Sequence, residues 1–86
     1  MPEISRFLGI VIKMYHDDHE PPHFHAWYSG EKAQIEIETL ALLKGQLPPR
    51  VLRLVVEWAW MHRQELVENW NLARHRLPLR RVAPLE

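Results

Sequence analysis

The segment HFHAWYSGEKAQIEIE, from His23 to Glu38, leaves this chain little freedom at its centre. Ala33, Ile35 and Ile37 alternate with Gln34, Glu36 and Glu38, the period-two pattern of a half-buried strand. Ser29-Gly30 separates that strand from HFHAWY and reads as a tight hairpin turn. With a two-residue turn, burying Phe24, Ala26 and Tyr28 beside the apolar set requires Phe24 to pair with Ile35 and Ala26 with Ala33. A slip of one residue would put Phe24 opposite Glu36, which burial forbids. The same register sets His25 opposite Gln34 and His23 opposite Glu36. A four-residue turn shifts the partners but still gives each histidine a glutamate neighbour or opposite number, so both histidines share a sheet face with acids.

The flanking segments extend this hairpin. FLGIVIKMY, from Phe7 to Tyr15, is apolar on both alternating faces and reads as a buried central strand, with Gly9 marking a bulge or a close approach. Pro21-Pro22 cannot join an interior ladder, so HDDHEPPHFH begins as a connection. ALLKGQL reads as a further short strand with Gly45 in a turn, and Pro48-Pro49 opens a helix at about Arg50. Leu52, Val55, Ala59, His62, Leu66, Trp70 and Ala73 follow helical spacing, widened early by Val51, Leu54, Trp58 and Met61. The helix is expected to run to about His75, before Leu77-Pro78. Its length would be on the order of 38 Å, whereas a domain of this size has a radius of gyration near ~13 Å. A straight helix would overhang its sheet, so a kink, a docked C-terminal tail or a second subunit must cover the excess; a homodimer is the expectation. The fold class is α+β: a small antiparallel sheet of three to four strands packed against one long C-terminal helix, in a single domain over residues 1–86.

With 86 residues, the chain buries only about 60–65% of its unfolded surface. It contains no cysteine, so disulfides and thiolate zinc sites are excluded and His, Asp and Glu remain as ligands. There is no apolar run of membrane-spanning length and no signal-peptide pattern, and the expected location is the cytoplasm. The net charge is zero but polarised: residues 1–39 carry seven acids against three bases, and residues 40–86 carry eight bases against four acids. Such polarity steers a charged partner or is simply a solvated surface.

Four of the six histidines fall between His16 and His25. Histidines two apart on a strand point to the same side and can share one ion. His23 and His25 are the first candidate ligands, His19 can swing in from the connection stiffened by the prolines, and Glu36 or Asp18 can complete the sphere or orient a ligand. This donor set suits a divalent zinc, nickel or iron ion. The alternatives are histidines that hydrogen-bond the backbone round an awkward turn, and a metal-free acid–base site cleaving RNA. No nucleophile elbow, phosphate-cradling glycine loop or His-Glu-x-x-His pattern is present, and Pro2 as an N-terminal amine catalyst has no supporting residue. A third class is nucleic-acid binding through Arg74, Arg76, Arg80 and Arg81. The plainer explanation of those arginines is cations at a helix C-terminus followed by a solvated tail. Trp58 and His62 read as core. Trp60, off the main stripe, and Trp70, on the overhang, are the candidate interface residues.

The opening PEISRF-GI, the motif DHEPPHFHA, the run GQLPPRVLRLVVEWAWMHRQELVENW and the closing LPLRRVAPL together resemble a small prokaryotic family known as domain of unknown function 4160. Its D-H-x-P-P-H-x-H core corresponds to Asp18, His19, Pro21, Pro22, His23 and His25. Its helix signature corresponds to Trp58, His62, Glu65, Leu66 and Trp70. His16 and Asp17 fall where the motif is looser. The resemblance implies a compact α+β domain and, from suggestions about neighbouring families, a toxin–antitoxin component; no established activity comes with it. The expected function is a cytoplasmic interaction or regulatory domain with a protein partner, centred on the histidine motif. A metal-dependent hydrolase or nuclease is the alternative.

Overall fold

In the computed structural model, which describes residues 3–16 and 18–86, the chain forms a five-stranded antiparallel meander followed by two helices. Pro2 and Asp17 lie outside the described residues. The strands are β1 (Glu3–Phe7), β2 (Ile10–Lys13), β3 (His23–Tyr28), β4 (Glu31–Glu36) and β5 (Leu42–Gly45), in spatial order β1-β2-β3-β4-β5. The helices are α1 (Pro49–Met61) and α2 (Arg63–Arg74).

The central hairpin has the register required by burial: Phe24 pairs with Ile35, Ala26 with Ala33, His25 with Gln34 and His23 with Glu36. Ser29 and Gly30 both have positive φ, 48° and 84°, the signature of a type I′ turn whose twist matches the flanking strands. A second such turn corrects the expectation that Phe7–Tyr15 is one strand. Leu8 and Gly9, with φ of 50° and 79°, fold that run into the β1–β2 hairpin. Gly9 therefore serves a turn, and the bulge lies between Glu3 and Ser5 instead. A continuous apolar run concealed the turn because Leu8 occupies a left-handed position usually signalled by Asn, Asp or Gly.

One sheet face carries the core. Ile10, Ile12, Phe24, Ala26, Ala33 and Ile35 meet Val51, Val55, Trp58 and Leu66 of the helices, with Trp58 between Phe7 and Phe24 at ring distances of 5.4 and 5.9 Å. The single long helix expected from the apolar spacing is broken at His62, whose φ and ψ of −121° and 22° leave the helical region. Pro49 starts α1 where its missing N–H costs nothing. At the break, the His62 N–H is shared between the Trp58 and Ala59 carbonyls at 3.2 Å each, and His62 Nδ1–H donates to Glu65 Oε1 at 2.6 Å. Arg63 Nε donates to the Ile37 carbonyl, holding the start of α2 to the end of β4.

The break lets α2 bury Leu66, Asn69, Trp70 and Ala73, so the longest dimension is 33 Å and no straight rod of ~38 Å projects. The C-terminal tail covers the remainder. Asn69, 1% exposed, donates Nδ2–H to the Arg80 carbonyl and accepts the Arg80 N–H, both at 2.9 Å. Val82 N–H donates to the Ile4 carbonyl, and Trp58 Nε1–H to the Ala83 carbonyl. The overhang that called for a second subunit is thus taken up within the chain. Among the described residues, no helix is long and apolar enough to cross a membrane.

Candidate metal centre

Alternation along β3 sends Phe24 and Ala26 into the core and His23 and His25 to the opposite face. The connection before β3 brings Asp18 back over these histidines. It contains a cis Glu20-Pro21 bond, and the Pro22 carbonyl accepts the Ile37 N–H, so the β3–β4 ladder continues past the prolines through a carbonyl. Asp18, His23 and His25 are the one group among the described residues arranged to hold a metal ion, with ligand atoms all within 4.8 Å of one another.

The hydrogen bonds fix the state of one ring. His23 Nδ1 lies 2.8 Å from the Pro21 carbonyl oxygen, which can only accept, so Nδ1 carries the hydrogen. In the neutral ring Nε2 then presents a lone pair. That atom is buried, has no hydrogen-bond partner among the described residues, and stands 3.2 Å from Asp18 Oδ2. In that neutral form the contact sets two electron-rich atoms facing each other. His25 Nε2 approaches the same oxygen at 2.8 Å, as a hydrogen bond. Burial is the main cause holding the His25 pKa below its ordinary value of 6.5, outweighing the hydrogen bond and charge of Asp18, which act upward. A buried neutral imidazole is the form that binds metal.

The spacing suits coordination. Two bonds of ~2.1 Å place ligand atoms ~3.0 Å apart at a right angle and ~3.4 Å apart at the tetrahedral angle. The distances of 2.8 and 3.2 Å to Asp18 Oδ2 are of that size. A donated Nδ1–H is the outer contact that orients a ligating histidine. The walls are aromatic: Tyr15 meets His25 edge-on at 4.7 Å, and Trp70 lies 5.4 Å from His23.

The other candidates fall elsewhere. His19 is exposed and lines a cavity of about 260 Å³ beside Asp18 and His23, outside the three-residue group. Glu36 is opposite His23 in register, but its Oε1 accepts from Thr39 Oγ1 at 3.1 Å and it is not among the three. His16, exposed, donates to the Leu77 carbonyl. Trp70, expected at an interface, is 4% exposed, on the face of α2 that buries Leu66, Asn69 and Ala73. Trp60 is 65% exposed, with the Arg63 guanidinium 4.9 Å from its ring. Of the C-terminal arginines, Arg74 pairs with Glu20 and Arg81 with Glu3, while Arg80 places its backbone against Asn69. Arg76 is exposed and has positive φ.

Sequence reasoning missed Tyr15 and the Trp70 wall. Tyr15 was readable, since its alternation from Lys13 places it on the histidine face. Trp70 was not, because its approach depends on the helix break.

The family model described as Domain of unknown function (DUF4160) matches residues 9–71, spanning β2 to most of α2 and including every residue of the centre. No curated protein and no solved structure matches the chain.

Proposed function

Because the chain belongs to the DUF4160 family, whose description carries no activity, we propose its function from the site: a small regulatory or interaction domain organised round one divalent metal ion held by Asp18 Oδ, His23 Nε2 and His25 Nε2. The observation that carries this reading is the buried, unpartnered Nε2 of His23 facing a carboxylate oxygen at 3.2 Å. A cation between them turns two facing lone pairs into two bonds, whereas leaving a buried polar atom unsatisfied costs about 1–3 kcal/mol. Two imidazoles and one carboxylate suit zinc, nickel or ferrous iron.

In this reading the domain works in the cytoplasm beside a protein partner, as the suggested toxin–antitoxin pairing implies, and exposed Trp60 is the contact residue offered to that partner or to a second copy. A metal-dependent hydrolase is the second reading. It is favoured by the donor count, since three protein ligands leave coordination positions for water or substrate.

Elemental analysis of protein purified without a histidine tag tests the metal. About one equivalent of Zn, Ni or Fe in the wild type and loss of it in His23→Ala/His25→Ala is the expected result. A wild type that carries no metal and takes none up from excess Zn²⁺, Ni²⁺ or Fe²⁺ would overturn it.

A further inference from the structure

The register of the sheet draws a straight row across its open face. Lys13 pairs with His25, His25 with Gln34, and Gln34 with Lys44, so one line over four strands reads Lys13, His25, Gln34, Lys44. Strands are 4.7–4.9 Å apart, so His25 and Lys44 stand about 10 Å apart, within reach of a lysine side chain laid over Gln34. Beside this row Trp27 pairs with Lys32, and its ring gathers two ammonium groups, Lys13 Nζ at 4.7 Å and Lys32 Nζ at 5.0 Å.

A cleft of about 210 Å³ opens along this row, lined by Tyr15, His25, Trp27, Lys32, Gln34 and Lys44 among others. It adjoins the cavity over Asp18 and His23, and Gln34 and Lys44 line both. The charges are one-sided. Among the described residues Lys44 and Lys32 have no ion pair, and the Lys32 ammonium lies over the π face of Trp27. None of the residues lining the cleft is acidic, and the nearby Glu31 accepts from Gln46 Nε2. Of the carboxylates beyond the end of the row, Asp18 faces the two histidines, Glu20 is paired with Arg74, and Glu36 accepts from Thr39.

We infer that this cleft binds the phosphoryl group of a small phosphate monoester, one oxygen taking an open position on the metal beside His25 and the others meeting Lys32 and Lys44; the inference rests on the metal reading above. Charge selects the class. A divalent ion less the Asp18 charge, with two ammonium groups, presents three positive charges to the ligand. A phosphate dianion uses that field better than a monoanionic carboxylate. The volume admits a phosphoryl group with a small substituent, and the Trp27 ring is already covered by lysines, which argues against base stacking of a nucleic-acid strand.

Titration calorimetry with phenylphosphonate, a dianion that cannot be hydrolysed, tests the assignment on metal-loaded protein whose metal content is measured separately. Benzoate and a single-stranded oligonucleotide run in parallel. Phenylphosphonate should bind one to one. Lys32→Gln and Lys44→Gln, both at exposed positions, should keep the metal and the melting temperature. Each should weaken binding about tenfold to a hundredfold, the range for a charge-assisted hydrogen bond. Metal-loaded protein that does not bind phenylphosphonate, binds benzoate as tightly, binds only the oligonucleotide, or binds equally well in both lysine variants overturns this inference and leaves the metal centre standing. Lysine-dependent phosphonate binding by protein that takes up no metal overturns the metal centre and the metal-bound oxygen, leaving the lysine cleft. Neither metal nor phosphonate binding overturns both.

Discussion

Replacing Asp18 by Asn should change stability in opposite directions with and without metal. In the metal-free wild type, one carboxylate oxygen serves two rings. It accepts from His25 Nε2 at 2.8 Å and faces the lone pair of His23 Nε2 at 3.2 Å. An amide –NH₂ in the place of Oδ2 has two hydrogens, one for each Nε2, once His25 moves its proton to Nδ1. The substitution relieves an unsatisfied buried nitrogen, about 1–3 kcal/mol, and gives up one charge-assisted hydrogen bond, about 1.5–3 kcal/mol net. It also supplies one neutral bond to His25, about 0.5–1.5 kcal/mol, the bond to His23 being the relief already counted, so in a chelator the variant should melt near the wild type or above it. With metal the order reverses. At a free concentration one hundred times Kd, binding stabilises the native state by about 2.7 kcal/mol, which for a domain of this size raises Tm by roughly 11–22 °C. Asp18→Asn, lacking the anionic ligand, should gain only a small part of that. Differential scanning calorimetry in EDTA and in excess Zn²⁺ reads both arms. If Asp18→Asn melts far below the wild type in EDTA while Zn²⁺ leaves the wild type unmoved, the group is a structural hydrogen-bond network and the facing lone pairs do not mark a metal site.

Other positions give sharper tests of the fold. Gly45, with φ of 77°, has no room for a Cβ, which would overlap the Lys32 carbonyl; Gly45→Ala should cost roughly 2 kcal/mol or more in urea unfolding. Gly30, equally left-handed but with open space round it, should cost about 1 kcal/mol as Gly30→Ala, and equal costs at the two sites would contradict the close approach. Asn69→Ala orphans the N–H and carbonyl of Arg80, for a loss of about 2–4 kcal/mol, with faster amide exchange in residues 80–83 than in the sheet as the local readout. Hydrogen bonds and charge from Arg6 and Arg81 lower the Glu3 carboxyl from 4.5 to about 2. The unfolded chain therefore binds more protons in that range. The stabilisation is fully present above pH 4.5 and is lost as pH falls towards 2, and Glu3→Gln should flatten that limb of an acid-unfolding curve.

The parts of this protein that were legible in its sequence are those fixed by alternation. The β3–β4 register followed from burying Phe24, Ala26, Ala33 and Ile35 together, and that register alone placed His23 and His25 on one face. What alternation cannot see are changes of direction. The Leu8-Gly9 turn lay inside an unbroken apolar run. The break at His62 has neither proline nor glycine to announce it, and depends on Glu65, on Arg63 holding to Ile37, and on burial of Asn69 and Trp70. The same limit applied to the site. Asp18 and His23, close in sequence on a stiff connection, could be grouped with His25, whereas choosing between Asp18 and Glu36 as the carboxylate required the path of the loop and the Thr39 contact that engages Glu36.

Two roles meet in β3, which serves the core and the candidate metal site with alternate residues, Phe24 and Ala26 inward, His23 and His25 on the other face. A slip of one residue would exchange the two sets, moving the apolar side chains off the core face and both imidazoles onto it. The Ser29-Gly30 turn that prevents the slip is therefore part of what holds the ligands, although it touches none of them. The helices close the second boundary. Trp70 of α2 stands against His23, so the open approach to the group runs over the sheet, past Gln34 and Lys44. If the group holds a metal as proposed, its selectivity would be set by side chains of β4 and β5, strands that contribute no residue to the Asp18, His23 and His25 group itself.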